Sequence, residues 1–273
     1  MSLKNKTAFI TGASRGIGKA IALRLAKEGV NIVIAAKSVR ENEKLGGTIF
    51  TAAAEIEEAG GRALALQCDI RDETMIQDAV AKTAAHFGGI DIVINNASAI
   101  ALTKTEETKT NRFDLMHDIN VRGTFLVVKN CLPYLTQSGH AHILTLSPPV
   151  NLNPKWLGNH IAYTMSKYNM TMMALGWAEE LKQVPVASNA LWPQTTIDTA
   201  AVRNLLGGET LANMSRTTDI MADAAYCILK ESPAKCTGHS FIDEQILKQN
   251  GVTDFDQYAV KKGAPLYTDL FLD

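Results

Sequence analysis

Cysteine is scarce in this chain. Four residues of 273, Cys68, Cys131, Cys227 and Cys236, carry thiols, and no two form a Cys-x-x-Cys pair. That pattern offers neither a redox pair nor half of a closed zinc site, and it predicts buried, reduced thiols in a cytoplasmic protein. The six histidines lack metal-ligand spacing as well, so no metal is expected. His140 and His142 share one face of a strand, and Cys236 and His239 share a turn, but two ligands do not close a site. Charge of one sign is missing too: the net charge is −1, which gives no broad attraction to nucleic acid or an anionic membrane. No apolar run approaches the ~18–20 residues of a membrane span. Met1 to Thr7 is polar and leads into a very short apolar run, so no secretory signal is expected. Proline-rich linkers, low-complexity stretches and solenoid repeats are all absent. With 46% hydrophobic and 20% charged residues there is material for one core, and a single domain over 1–273 is expected.

What is present is alternation. Strand-like runs at Thr7–Thr11, Asn31–Ala36, Ala63–Cys68, Ile90–Asn95, His142–Ser147, Val186–Leu191 and Ser240–Asp243 are separated by helical patterns. Those patterns cover Lys19–Gly29, Thr51–Ala59, Glu73–Phe87, a long stretch Asn111–Leu135, and His160–Lys182. Continuous apolar strands mark burial on both faces. Alternation with helices predicts an α/β fold, a Rossmann-type doubly wound parallel sheet with helices on both faces. Three segments break the alternation: a charged loop over Lys37–Gly47, a proline-bearing insertion over 148–159, and an aperiodic stretch over 195–218. All three start where ligands gather in open α/β sheets, beyond the C-terminal strand ends. A C-terminal tail begins at about 246, and its apolar run Pro265–Leu272 is expected to dock on its own domain or across a dimer.

The first strand runs into Thr11-Gly12-Ala13-Ser14-Arg15-Gly16-Ile17-Gly18 and then a helix. Glycines there let the backbone turn tightly and approach a pyrophosphate, and the helix N-terminus offers N–H groups and a positive dipole end. The context of strand before and helix after makes this a strong dinucleotide signal. The second strand ends Ala35-Ala36-Lys37-Ser38 without the acid that grips the ribose hydroxyls of NAD. Lys37, with Arg15 from the glycine loop, suits a 2′-phosphate, so NADP(H) is the expected cofactor. Asp69, with Ile70 beside it, is placed to hold the adenine edge, and Asn95-Asn96-Ala97-Ser98 ends the fourth strand with small residues that leave room for the cofactor.

Tyr163 and Lys167 stand four apart, on one face of a predicted helix. A phenol with a reference pKa near ~10 is a poor acid–base catalyst at neutral pH. A neighbouring ammonium and a positively charged nicotinamide would both favour the phenolate. Tyr163 is then able to exchange a proton with a carbonyl or alcohol oxygen, and Lys167 to hold the ribose hydroxyls of the cofactor.

The glycine loop, Asn95-Asn96-Ala97-Ser98, Asn120 in Ile119-Asn120-Val121-Arg122-Gly123-Thr124, Ser147 and the Tyr163/Lys167 pair occur in the order that resembles short-chain dehydrogenases/reductases, over about residues 5–245. The resemblance implies that Asn120 kinks a helix and holds a water for a proton relay, that a serine orients the substrate carbonyl, and that Thr199 contacts the nicotinamide carboxamide, near Pro193 and Ile197. It also implies a homodimer or homotetramer. The sequence departs from the family pattern in two places. Pro148 stands where the catalytic serine is usual, which leaves Ser147 as the candidate, and Pro193-Gln194 replaces a Pro-Gly. The wording Leu146-Ser147-Pro148-Pro149, Asn151-Leu152-Asn153-Pro154 and Ala190-Leu191-Trp192-Pro193 resembles a narrower branch, the hydroxysteroid dehydrogenase-like proteins.

Trp156, Leu157, Trp192, Ile197, Leu205, Leu206, Leu211 and Met214 are expected around an apolar substrate, or packed on one another. The expected activity is NADP(H)-dependent interconversion of an alcohol and a carbonyl on a moderately apolar small molecule. The alternatives are reduction of a 3-oxoacyl or enoyl thioester, and an NADPH sensor without turnover, for which Pro148 is the motive. Composition does not name the substrate, and neither would the fold.

Overall fold

The structure is a computed structural model that describes residues 1–41 and 45–273, so part of the charged loop over 37–47 lies outside the described residues. Seven strands form one sheet in the order β3-β2-β1-β4-β5-β6-β7, with β1 at Thr7–Thr11, β2 at Asn31–Ala36, β3 at Arg62–Gln67, β4 at Ile92–Asn95, β5 at Ala141–Leu146, β6 at Val186–Trp192 and β7 at Ser240–Ile242. Every pairing is parallel. The all-apolar runs of the sequence are strands buried on both faces, as their burial along β1, β2, β4, β5 and β6 shows.

One face is covered by α1 (Gly16–Ala26), α2 (Ile49–Glu58), α9 (Asp219–Leu229) and α10 (Asp243–Gln249), with Ile10, Ile21, Leu25, Ile32, Ile56 and Ile228 at its core. The other is covered by α3 (Glu73–Phe87), α5 (Thr124–Leu135) and α7 (Ile161–Glu180), around Phe9, Ile76, Val93, Val127, Ile143 and Trp177. A small third cluster joins Tyr163, Tyr168, Trp192 and Phe271. The strand order reverses between β1 and β4, so the crevice beyond their C-terminal ends is the topological switch point where ligands bind in this architecture.

Two expectations change in detail. The helix foreseen over Asn111–Leu135 is interrupted: α4 (Thr110–Met116) passes through a π-helical segment, His117–Gly123, before α5 begins. The extra residue in the turn rotates Asn120 inward, to full burial. The tail foreseen from about 246 begins later, since α10 continues to Gln249. The two insertions also hold short helices, α6 (Pro154–Gly158) and α8 (Gly208–Asn213).

The four cysteines are buried and free. His140 and His142 lie ring to ring at 4.7 Å, their Nε2 atoms on the carbonyls of Leu229 and Glu231. Burial, first, and His140, second, hold His142 at about 3, so its ring stays neutral and the two rings form a structural clasp. Among the described residues no group of three or more metal-ligating side chains is brought together, and no helix is long and apolar enough to cross a membrane.

Candidate active site

The glycine loop is built for close approach. Gly12 and Gly16 adopt φ of 67° and 57°, open to glycine at no steric cost. Asn96 locks the loop from the end of β4: its Nδ2 donates to the Thr11 carbonyl at 2.8 Å and the Gly12 carbonyl at 3.2 Å. Thr11 Oγ1 accepts from the amides of Asn96 and Ala97. Gly18 has no room for a side chain, because a Cβ would collide with the Asn96 carboxamide and press within 3.1 Å of Ala13 Cα. Gly18→Ala is therefore expected to cost roughly 1–3 kcal/mol as an overpacked contact. It should also displace Asn96 and weaken cofactor binding, and paired melting curves and nucleotide titrations would read both effects.

Beyond this loop lies a cleft of about 480 Å³, lined by Gly12, Ser14, Arg15, Gly16, Ile17, Ala36, Lys37, Asp69, Ile70, Asn96, Ala97, Ser98 and Thr199. All of these but Ala36 are expected cofactor residues; Lys167, expected among them, lines neither this cleft nor the cavity beside it. Gly18 sits behind them, and Pro193, Ile197 and Tyr163 line the adjoining cavity. Arg15 spans the mouth of the cleft. Its Nε donates to the Gly46 carbonyl at 2.7 Å, and Nη2 to the Gly47 carbonyl and Ser38 Oγ at 2.8 and 3.0 Å. Asp69 is held by Arg71, whose Nε donates at 2.9 Å, and this partner chiefly keeps its carboxyl below the usual range. The cleft fits an extended dinucleotide: a glycine cradle at the switch point, a helix N-terminus behind it, and Lys37 with Arg15 at the end of β2.

Asn120 ties the reacting end together. Its Oδ1 accepts from Ser98 Oγ and the Ala99 amide, and its Nδ2 donates to the Ala99 carbonyl and Ser166 Oγ, both at 2.9 Å. The side chain fastens the loop after β4 to α7, and so sets Tyr163 and Lys167 relative to the cofactor cleft. Lys167 is 2% exposed, with Nζ donating to the Leu146 carbonyl at 2.6 Å and lying 5.1 Å from the Trp192 ring centroid. Burial brings its pKa down to about 7, against an opposing pull from Asp269. Burial pushes the Tyr163 phenol up, with Asp269 adding to the shift.

Tyr163 opens onto a second cavity of about 480 Å³, which adjoins the cleft at Ile17, Ile100 and Thr199. Trp192, Ile197, Leu205, Leu206 and Leu211 line it, as expected. Trp156 packs instead on Phe271, at 5.8 Å between rings, and Met214 and Leu157 are not among its lining residues. Ser147 is not brought to the cavity either. It is fully buried behind β5, and its Oγ accepts from Thr171 Oγ1 at 2.8 Å. Pro148 ends the strand ladder at that point and its carbonyl takes a second bond from Thr171. A broader cleft of about 870 Å³ adjoins the dinucleotide cleft at Arg15, Gly16, Thr199 and Ala200 and runs among charged residues of α1 and α9 such as Lys19, Arg24 and Asp223; it does not contain Tyr163.

Of the two docking modes expected for the apolar run Pro265–Leu272, its own domain or a dimer partner, the structure shows the first. The C-terminal segment folds back across β6: Thr195 bridges Thr268, the Thr196 amide donates to the Tyr267 carbonyl, and Trp192 Nε1 donates to the Leu270 carbonyl at 3.0 Å. Phe271, fully buried at φ 72°, is surrounded by Trp156, His160, Tyr163, Tyr168 and Trp192 at ring separations of 5.3–6.1 Å. A left-handed phenylalanine is unusual, and this one is held in place by the aromatic cage around it. The apolar run Pro265–Leu272 signals docking, but nothing local in it names β6 and the aromatic cage as the surface.

A model of the short chain dehydrogenase family matches residues 6–209. The chain belongs to the short-chain dehydrogenase family. The family comprises oxidoreductases that bind a nicotinamide cofactor. The chain is 58% identical over 267 residues to hydroxysteroid dehydrogenase-like protein 2 of Bos taurus, covering 98% of this chain and 63% of that protein. It is 57% identical to the Homo sapiens protein of the same name, with the same coverage. It thus spans less than two thirds of the length of these curated relatives. A short chain dehydrogenase structure from Mycobacterium thermoresistibile superposes with a TM-score of 0.94 at 52% identity, covering 100% of this chain and 96% of that one. The narrower branch legible in Leu146–Pro149 and Asn151–Pro154 is the one these relatives carry.

Proposed function

We propose that the chain is an NADP(H)-dependent oxidoreductase that interconverts an alcohol and a carbonyl on a moderately apolar small molecule, with Tyr163 as the acid–base group. The observation that carries this reading is the joining of two spaces at Thr199: a dinucleotide cleft on one side and an apolar cavity opened by Tyr163 on the other.

Gly12, Ser14, Gly16 and Ile17 would hold the pyrophosphate, Asp69 and Ile70 the adenine side, and Asn96, Ala97, Ser98, Pro193, Ile197 and Thr199 the nicotinamide half. When bound, the nicotinamide supplies or accepts a hydride. Tyr163 gives its phenolic proton to the substrate oxygen in reduction and takes it back in oxidation. Lys167 favours the phenolate by its charge, and Asn120 fixes the loop and helix that carry both ends of the site.

Absence of an acid at the end of β2 supports the phosphorylated cofactor, since Ala36, Lys37, Ser38 and Arg15 form that edge of the cleft. Ala36→Asp should move the ratio of NADPH to NADH affinity toward NADH by at least tenfold, and titration of both nucleotides by fluorescence reads it directly. An unchanged ratio would remove the assignment. A panel of aldehydes, ketones and 3-oxoacyl thioesters then tests turnover. The sensor reading draws its support from the position of Ser147, and tight NADPH binding with no turnover across that panel would favour it.

Self-association belongs to the same proposal. Phe125 on α5 and Met165, Met172 and Leu175 on α7 are exposed apolar side chains on two adjacent elements, which supports a homodimer or larger assembly. The buried, unpaired cysteines suit a reducing, cytoplasmic setting.

A further inference from the structure

The cavity next to Tyr163 is mostly apolar, and it contains one carboxyl that the proposed chemistry has not used. Asp269 lines it with Tyr163, Leu146, Trp192, Pro193 and Thr196. The backbone at Asp269 is pinned: its amide donates to the Gln194 carbonyl at 3.1 Å, and the next residue's carbonyl accepts from Trp192 Nε1. Buried Phe271 anchors the segment two residues on. One carboxyl oxygen, Oδ1, accepts from the Leu270 amide at 2.7 Å. No ion pair within 4.0 Å joins Asp269 to Lys167 among the described residues, because the lysine is turned to the Leu146 carbonyl. The charge is still near enough to act on both members of the Tyr163/Lys167 pair.

We propose that Asp269, carried into the cavity by the docked C-terminal segment, is a catalytic hydrogen-bonding group that contacts the substrate's reacting oxygen beside Tyr163. It does the work that Ser147, buried against Thr171, is not placed to do. The inference rests on the reading of Tyr163 as proton donor, and it adds a second donor to the same oxygen. A carboxyl donates only in its acid form. Burial, first, and Asp243, against the Leu270 amide and Lys167, push the Asp269 carboxyl up to about 7. The charged groups that act on it are thus Lys167 from α7 and Asp243 from the start of α10, and Asp269 in turn acts on Tyr163. In carbonyl reduction Tyr163 surrenders its proton to the oxygen, whereas Asp269 keeps its own and only stabilises the charge that builds there.

The test uses 2-decanone as an apolar carbonyl probe, bound to the full chain and followed by tryptophan fluorescence, since Trp192 lines the cavity. Wild-type protein should bind it several-fold more tightly at pH 6 than at pH 8. Asp269→Asn keeps a donor and should bind equally at both. Asp269→Leu, which has none, should bind about tenfold more weakly than wild type at pH 6, the effect of one lost hydrogen bond. A second readout needs no ligand. An acid whose folded pKa is raised contributes stability at low pH that is lost as pH rises through about 7. The wild-type melting temperature should fall between pH 4 and pH 7 relative to that of Asp269→Asn.

Asp269→Leu binding like wild type at pH 6, Asp269→Asn keeping the pH dependence, or no binding of 2-decanone at all would each overturn the proposal. If the binding pattern appears but NADPH is never consumed and Tyr163→Phe changes nothing, the donor role of Tyr163 fails and that of Asp269 as a ligand contact survives.

Discussion

Tyr163→Phe should bind NADPH nearly as well as the parent while its turnover falls by roughly 10²–10⁴, the scale of lost general acid–base catalysis. The substitution removes one oxygen and little volume. The ring keeps its place against His160 and Phe271, at 6.0 and 6.1 Å between centroids, so the aromatic cage should persist. The hydroxyl is buried, and burial alone would make it a weak acid–base group. Its usefulness depends on positive charge arriving with the cofactor and on Lys167 behind it. Single-turnover measurements with saturating NADPH would separate the chemical step from binding. Full activity in the variant would mean that the proton comes from another group.

Lys167→Ala should be more damaging, because two functions fall together. Turnover should drop by at least the 10²–10⁴ expected for the tyrosine change, since the phenol loses its stabilising charge. Cofactor affinity should weaken by about tenfold or more, the value of one or two lost hydrogen bonds to charged nitrogen. Removal also strands the Leu146 carbonyl, which accepts from Nζ at 2.6 Å, and empties space beside Trp192. Lys167→Met would fill that space without restoring charge. Comparing the two by melting temperature and NADPH titration distinguishes the packing loss from the chemical one. Affinity for NADPH unchanged in both would sink the role of Lys167 toward the cofactor.

Much of the architecture could be read before any coordinates, for a physical reason. Parallel strands buried on both faces leave continuous apolar runs, and β1 and β2 were bounded to the residue. The glycine loop was equally legible, because close backbone approach admits few residue types. Asn120 was recognisable only through resemblance: no local pattern distinguishes an asparagine in a π-helical turn from one on a solvated helix face. Ser147 failed to reach the cavity because a strand's alternation places its side chain on the α7 side, and the proline after it cannot extend the strand. Asp269 was invisible for a different reason. Its partners, Gln194 and the α7 pair, are far away in the chain, and a lone acid in an apolar tail has no signature of its own.

The two halves of the site are held in different ways. The glycine loop, β2 and the loop after β4 are fixed by strands of the sheet itself. The substrate cavity is sealed by bonds such as Asn151 to the Phe271 carbonyl, 120 positions apart. That C-terminal segment, held by a handful of bonds to loops and to the end of β6, opens at lower cost than the sheet core. The second-substrate cavity therefore depends on segment 265–271 staying docked, and conditions that peel it from β6 should open that cavity while the sheet-bound nucleotide cleft persists.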